Sequence, residues 1–94
     1  MNPIEIYTWA TCPYCRRAKQ LLDRKGVAYT EYPVDIDDEA YSEMLDRANG
    51  QYTVPQIFVG DRHIGGSDDL YRLEQAGELD EILGLIEART RWVA

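Results

Sequence analysis

Cys12 and Cys15 are the two cysteines of the chain, and they stand in the run Cys12-Pro13-Tyr14-Cys15. A strand-like apolar run, Ile4-Glu5-Ile6-Tyr7, precedes them, and a helical pattern from Arg16 to Lys25 follows. A C-x-x-C in that setting reads as a redox dithiol. At the first turn of a helix, unpaired backbone N–H groups and the positive end of the macrodipole favour a thiolate on Cys12, and the thiolate is the nucleophilic form. Pro13 suits the first helical position, where its missing N–H costs nothing and its ring presets φ. Cys15, about one turn on, can reach back to close a short disulfide.

Three other chemistries fit these residues less well. A structural bridge across two residues closes almost no loop and constrains the unfolded chain little. Structural zinc takes about four ligands, and His63, the one histidine, is far away in sequence. Free cysteines are often core residues, but Thr11 and the Pro13-Tyr14 pair do not look like core filler.

The elements that must position the dithiol follow from the pattern around it. Ile4 to Tyr7 reads as a buried strand and Thr8 to Thr11 as a loop. Pro13 to Lys25 is a predicted helix: Ala18, Leu21 and Leu22 recur at helical spacing, and Gly26 supplies a left-handed stop. Tyr29 to Val34 alternates like a second strand. Asp37 or Asp38 can cap a helix to about Ala48, with Tyr41, Met44, Leu45 and Ala48 on one face and Asn49-Gly50 ending it. Gln56 to Val59 and Arg62 to Ile64 form a predicted hairpin about Gly60-Asp61. After Gly65-Gly66, Ser67 is the expected cap of a helix from Asp68 to Gln75, stopped at Gly77; a last helix is expected from Leu79 to Ala88. Strands joined through a helix run parallel and a hairpin runs antiparallel. The expectation is therefore α/β: a three-layer sandwich with a four-stranded mixed sheet.

Length and composition bound the function. Ninety-four residues, 45% hydrophobic and 29% charged, predict one domain over 1–94. No apolar run approaches the ~18–20 residues of a membrane span. The chain enters a strand at once, without a charged and apolar leader, so no secretion signal is expected. Two cysteines in this spacing suit a reducing compartment, and a cytoplasmic monomer is the expected state. A net charge of −7 argues against nucleic acid as a partner. Arg16, Arg17, Lys19, Arg24 and Lys25 follow the dithiol. They read either as a patch favouring the thiolate or as a solvated face of ion pairs.

Three motifs together, C-P-Y-C at 12–15, Thr53-Val54-Pro55-Gln56-Ile57-Phe58 and Gly65-Gly66-Ser67-Asp68-Asp69-Leu70, resemble a glutaredoxin of the short bacterial dithiol class. The resemblance covers the chain to about residue 86. It implies the thioredoxin fold, no permanently bound cofactor or metal, and glutathione as co-substrate. It also implies reduction of protein–glutathione mixed disulfides and some protein disulfides through Cys12 and Cys15. Thr53-Val54-Pro55 resembles the family's loop with a cis proline, where an extended peptide pairs with the backbone of Val54 as an added strand. By the same resemblance, Gly66, Ser67 and Asp68 receive the γ-glutamyl end of glutathione, with Asp68 as the ammonium partner. Tyr14 flanks the substrate thiol.

Two places depart from the family's pattern. Trp9 stands where many relatives carry a lysine, and Gln51-Tyr52 where many carry a basic residue before the T-V-P loop. Arg16 and Arg47 are candidate replacements for those contacts to the glycine carboxylate. Ser67 stands where relatives often have a further cysteine. Two rival functions are a thioredoxin-type disulfide reductase and an iron–sulfur carrier in which two protomers and glutathione hold a cluster. The first usually carries W-C-G-P-C; the second is disfavoured by Pro13-Tyr14.

Overall fold

The computed structural model describes residues 2–86. The tail from Arg89, with Trp92, lies outside them, as does the predicted end of the last helix at Ala88. The chain runs β1 (Ile4–Thr8), α1 (Pro13–Arg24), β2 (Thr30–Pro33), α2 (Asp38–Arg47), β3 (Gln56–Val59), β4 (Arg62–Gly65), α3 (Ser67–Gln75) and α4 (Leu79–Ile82). The strands lie in the order β2-β1-β3-β4. The β1–β2 pair is parallel, while β1–β3 and β3–β4 are antiparallel. This is the expected mixed four-stranded sheet.

Alternation along the central strands makes two cores. Ile4, Ile6, Ile57 and Val59 point to one face, where Ala18, Leu21 and Leu22 of α1, Leu70 of α3 and Leu79 of α4 pack. Tyr7 and Phe58 point to the other, against Ala40 and Met44 of α2. Side chains in a strand alternate between faces, so a one-residue slip would put each set against the wrong helices. The helical stops fall as predicted: Gly26 (φ 72), Asn49-Gly50 (φ 55 and 85) and Gly77 (φ 74) adopt left-handed conformations. Among the described residues, no helix is long and apolar enough to cross a membrane.

Two expectations are corrected. The helix predicted from Leu79 ends at Ile82, because Gly84 turns left-handed (φ 82) and Leu85 N–H closes back on the Asp80 carbonyl at 2.9 Å. Ser67 is not the cap of α3 but a residue of the helix; the cap is Gly66. The Asp69 carboxylate reaches back to the Gly66 N–H (3.0 Å), which moves the capping contact two residues along the chain from Ser67.

The α2 layer is pinned by a polar cluster. Arg47 pairs with Glu5 at 3.0 Å, donates to the Tyr7 hydroxyl at 2.9 Å and lies 4.1 Å over the Phe58 ring. The Tyr7 hydroxyl donates to Glu43. Burial, then the bond to Glu43, pushes that phenol up to about 12. Arg47→Ala removes a charged hydrogen bond, an ion pair and a ring contact together. The expected cost is about 1–2 kcal/mol, discounted because the pair is partly exposed. That corresponds to a fall in Tm of roughly 5–10 °C, read by thermal unfolding.

Candidate active site

Strand β1 delivers the chain to the start of α1, and the first helical turn builds the reacting centre. Cys12 is the N-cap of α1 in extended conformation (φ −104°, ψ 111°), and its Sγ accepts the Cys15 N–H at 3.1 Å. Sulfur thus takes the place that a serine or aspartate oxygen usually fills at a helix start. Pro13 occupies the opening of the helix, as predicted, and the Arg16 N–H reaches the Cys12 carbonyl at 3.1 Å. Both cysteines are free thiols. Cys12 keeps 8% of its surface exposed and Cys15 none. Burial, followed by the hydrogen bond to Cys12, pushes the Cys15 thiol up to about 12; the Trp9 backbone and the Lys19 charge pull the other way. The two sulfurs are therefore unlike: one opens to solvent at a cap, the other is sealed beneath it.

The basic segment beyond the dithiol is mostly committed elsewhere. Lys19 pairs with Glu31 at 2.9 Å, Lys25 bridges Glu74 and Asp80 at 2.7 Å each, and Arg17 lies 5.0 Å over the Tyr71 ring. For these three the reading as a paired, solvated face holds. Arg47, considered above as a carboxylate partner, is engaged with Glu5, Tyr7 and the Gly60 carbonyl. It is corrected to a structural role.

Opposite the sulfur lies the loop 53–55. The Val54–Pro55 bond is cis, and the Val54 carbonyl faces Cys12 Sγ at 3.8 Å. Among the described residues the Val54 N–H has no acceptor. Gln56, missed as a site residue from sequence, holds this loop. Its buried Nε2 donates to the Thr53 carbonyl (3.0 Å) and Thr53 Oγ1 (3.3 Å), while its Oε1 lies 2.6 Å from His63 Nε2. Because Gln56 presents oxygen there, the neutral imidazole must carry its proton on Nε2. Burial, and the nearby Arg47 charge, hold His63 below its ordinary range against the opposing pull of Asp69. The sequence did carry a signal: Gln56 is a polar residue opening an otherwise apolar strand.

The third wall is the turn into α3. Gly65 has φ 114°, and a Cβ placed there would stand 2.3 Å from Asp69 Oδ2. Glycine at this position therefore permits both the backbone angle and the close approach of the capping carboxylate. Asp69, likewise unassigned from sequence, also accepts from Arg72 at 2.9 Å. Ser67 Oγ is buried and has no partner among the described residues. Asp68 is exposed in the first turn of α3.

These pieces converge. Tyr14, Thr53, Val54, Pro55, Gly66, Ser67 and Asp68, all singled out from sequence, line one cavity of ≈ 220 Å³, together with Gln51, Gln56 and Asp69. A second, more apolar groove of ≈ 520 Å³ opens on the other side of Val54 and holds Cys12. Among the described residues, no three histidine, cysteine or acidic side chains gather as metal ligands.

A sequence model of the family described as glutaredoxin matches residues 4–64. The chain belongs to the glutaredoxin family. A probable glutaredoxin of Synechocystis sp. is 59% identical over 80 residues, which is 85% of this chain and 91% of that protein. Glutaredoxin 3 of Escherichia coli K12 is 53% identical over 83 residues, covering 88% and 99%. The crystal structure of a buckwheat glutaredoxin–glutathione complex superposes with a TM-score of 0.79 at 33% identity, covering 89% of this chain and 78% of that one. Membership of the family supports thiol–disulfide oxidoreduction on a thioredoxin fold.

Two outcomes follow for this glutaredoxin. In a Cys12→Ser variant, the buried Cys15 thiol, raised to about 12, should resist iodoacetamide at pH 8 and react fully in guanidinium. Mass spectrometry of the alkylated protein reads this directly. Gln56→Ala should raise KM for a disulfide substrate while lowering Tm, since it frees the 53–55 loop and leaves the Thr53 carbonyl and His63 unpaired at about 1–3 kcal/mol. Unchanged KM alongside a lowered Tm would reduce Gln56 to a purely structural residue.

Proposed function

We propose that this chain is a glutathione-dependent oxidoreductase that reduces protein–glutathione mixed disulfides, and some protein disulfides, through Cys12 and Cys15. The observation that carries this reading is the ≈ 220 Å³ cavity, which gathers unpaired backbone and polar groups beside the Cys12 sulfur. Glutathione is an extended peptide with a central thiol, an amino-acid head and a carboxylate tail. Val54 offers a free N–H for strand-like pairing. The start of α3 offers N–H groups for the head carboxylate, Asp68 a partner for its ammonium, and Ser67 Oγ an unused hydroxyl. Tyr14 and Pro55 complete the lining of the same cavity. The buckwheat relative, solved as a glutaredoxin–glutathione complex, supports glutathione as the ligand.

Cys12 attacks as a thiolate, its charge met by the Cys15 N–H at the helix start. A bond forms from Cys12 to the glutathionyl sulfur, the mixed disulfide breaks, and the protein leaves as a thiolate that takes a proton from solvent. A second glutathione thiolate attacks the glutathionyl sulfur and expels Cys12 as thiolate, releasing oxidised glutathione. One free glutathione is thus consumed: the mixed disulfide and one glutathione thiol become the protein thiol and oxidised glutathione. On a protein disulfide, the Cys12 thiolate attacks one sulfur and breaks the substrate S–S bond; the other cysteine leaves as a thiolate that takes a proton from solvent, and Cys12 holds the substrate as a mixed disulfide. Cys15 then attacks Cys12 Sγ, expels the substrate thiolate, which accepts the Cys15 proton, and leaves the Cys12–Cys15 bridge. Two glutathiones reopen the bridge.

Steady-state reduction of a glutathionylated peptide, coupled to glutathione reductase, checks the roles. Cys12→Ser should abolish turnover, whereas Cys15→Ser should keep it for the glutathionylated substrate and lose it for a protein disulfide. Asp68→Asn should raise KM for the glutathionylated substrate by roughly threefold to tenfold with little change in kcat, as loss of one exposed charged contact implies. Equal loss in both cysteine variants would refute the assignment.

A further inference from the structure

We infer that the apolar groove on the far side of Val54 is the docking site for the polypeptide half of the disulfide substrate. It selects a cysteine flanked by one apolar and one basic residue. The inference rests on the glutathione reading above, and it concerns the other half of the same substrate.

The groove holds ≈ 520 Å³ and is walled by Trp9, Pro13, Tyr41 and Tyr52, with Cys12, Thr53 and Val54 along its base. Thr53 and Val54 also line the ≈ 220 Å³ cavity, so the two recesses meet at one backbone segment beside one sulfur. A mixed disulfide has two halves. In either route the polypeptide's cysteine sulfur lies one or two S–S bonds, about 2–4 Å, from Cys12 Sγ. With the peptide-like half on the polar side of Val54, the residues next to the other cysteine fall into the groove.

The walls are chemically specific. Trp9 is 47% and Tyr52 68% exposed, and neither side chain has a hydrogen-bond, ring or ion-pair partner among the described residues. Large aromatic faces held at the mouth of a reactive centre gain by burial against an apolar residue, at roughly 25 cal/mol per Å². The rim is acidic. Asp35 accepts the Ala10 N–H at 3.2 Å, beside Trp9. Asp37 and Asp38 precede Tyr41 by four and three residues and so share its side of α2. Three carboxylates thus lie next to the segments that carry Trp9 and Tyr41, that of Asp37 also accepting the Ala40 N–H as the cap of α2. A basic residue next to the substrate cysteine complements that rim.

The test uses three glutathione mixed disulfides: one with 2-mercaptoethanol, which has no flanking side chains; one with a peptide carrying Leu and Lys beside its cysteine; and one with a peptide carrying Ser and Glu there. The wild-type protein should favour the Leu/Lys peptide over the Ser/Glu peptide by about tenfold in kcat/KM. Trp9→Ala and, separately, Tyr52→Ser should remove most of that preference and leave the 2-mercaptoethanol substrate within about twofold of wild type. Circular dichroism confirms that both variants are folded. Equal rates for the two peptides would overturn the inference, as would equal losses on all three substrates in the variants. Sedimentation that finds a wild-type dimer abolished by Trp9→Ala would overturn it too, assigning the groove to a second copy of the chain. Failure of the wild type on the 2-mercaptoethanol substrate would instead strike the glutathione reading itself.

Discussion

A single hydrogen bond organises the reacting centre: the N–H of Cys15 donates to the sulfur of Cys12 at 3.1 Å. It makes the sulfur the cap of α1, which fixes where the sulfur points and aligns the helix amides with it. The same contact places Cys15 beneath, with none of its surface in water and a thiol strongly resistant to ionisation. One helical turn therefore divides two chemically identical side chains into a nucleophile with a small opening to solvent and a sealed reserve. Everything else in the fold serves to hold that turn against two loops. β1 carries the chain up to it, Ala18, Leu21 and Leu22 seat the helix on the sheet, β3 begins at the T-V-P segment, and β4 ends at the Gly-Gly segment.

Those two loops are held by polar groups buried among apolar ones. Gln56 has 1% of its surface exposed, yet every end of its amide is used. A buried amide without partners would cost a few kcal/mol, so its satisfaction fixes the orientation of the loop as firmly as packing would. Asp69 does the same for the turn into α3. Its carboxylate meets the Gly66 N–H and the Arg72 guanidinium, and it stands where a side chain on Gly65 would otherwise be.

Much of this was legible in the sequence, and the reasons are local. The mixed strand directions followed from the connections, because a strand–helix–strand unit must pair parallel and a two-residue turn must pair antiparallel. The stops at Gly26, Asn49-Gly50 and Gly77 were legible because left-handed backbone is tolerated by few residues. Of the departures, the cap of α3 shifted from Ser67 to Gly66 because the Asp69 carboxylate takes the Gly66 N–H, a contact that spacing alone does not reveal. Arg47 was misread because its partners, Glu5, Tyr7 and Gly60, lie on other strands and turns. Gln56 and His63 went unassigned for the same reason: their contact crosses the β3–β4 hairpin, and no periodicity encodes which polar groups will meet in a core.

The two recesses beside the sulfur are made of different stuff. On one side the walls are mainly main chain: a Val-Pro peptide, a pair of glycines and a helix start, with Gly65 unable to accept even a methyl group beside Asp69. On the other they are the free-standing rings of Trp9 and Tyr52. Drift in the first alters the fold before it alters recognition, whereas the second can be rewritten one codon at a time. A lineage, or an engineer, wishing to redirect this scaffold toward new clients would thus find its adjustable part already separated from the part it must leave alone.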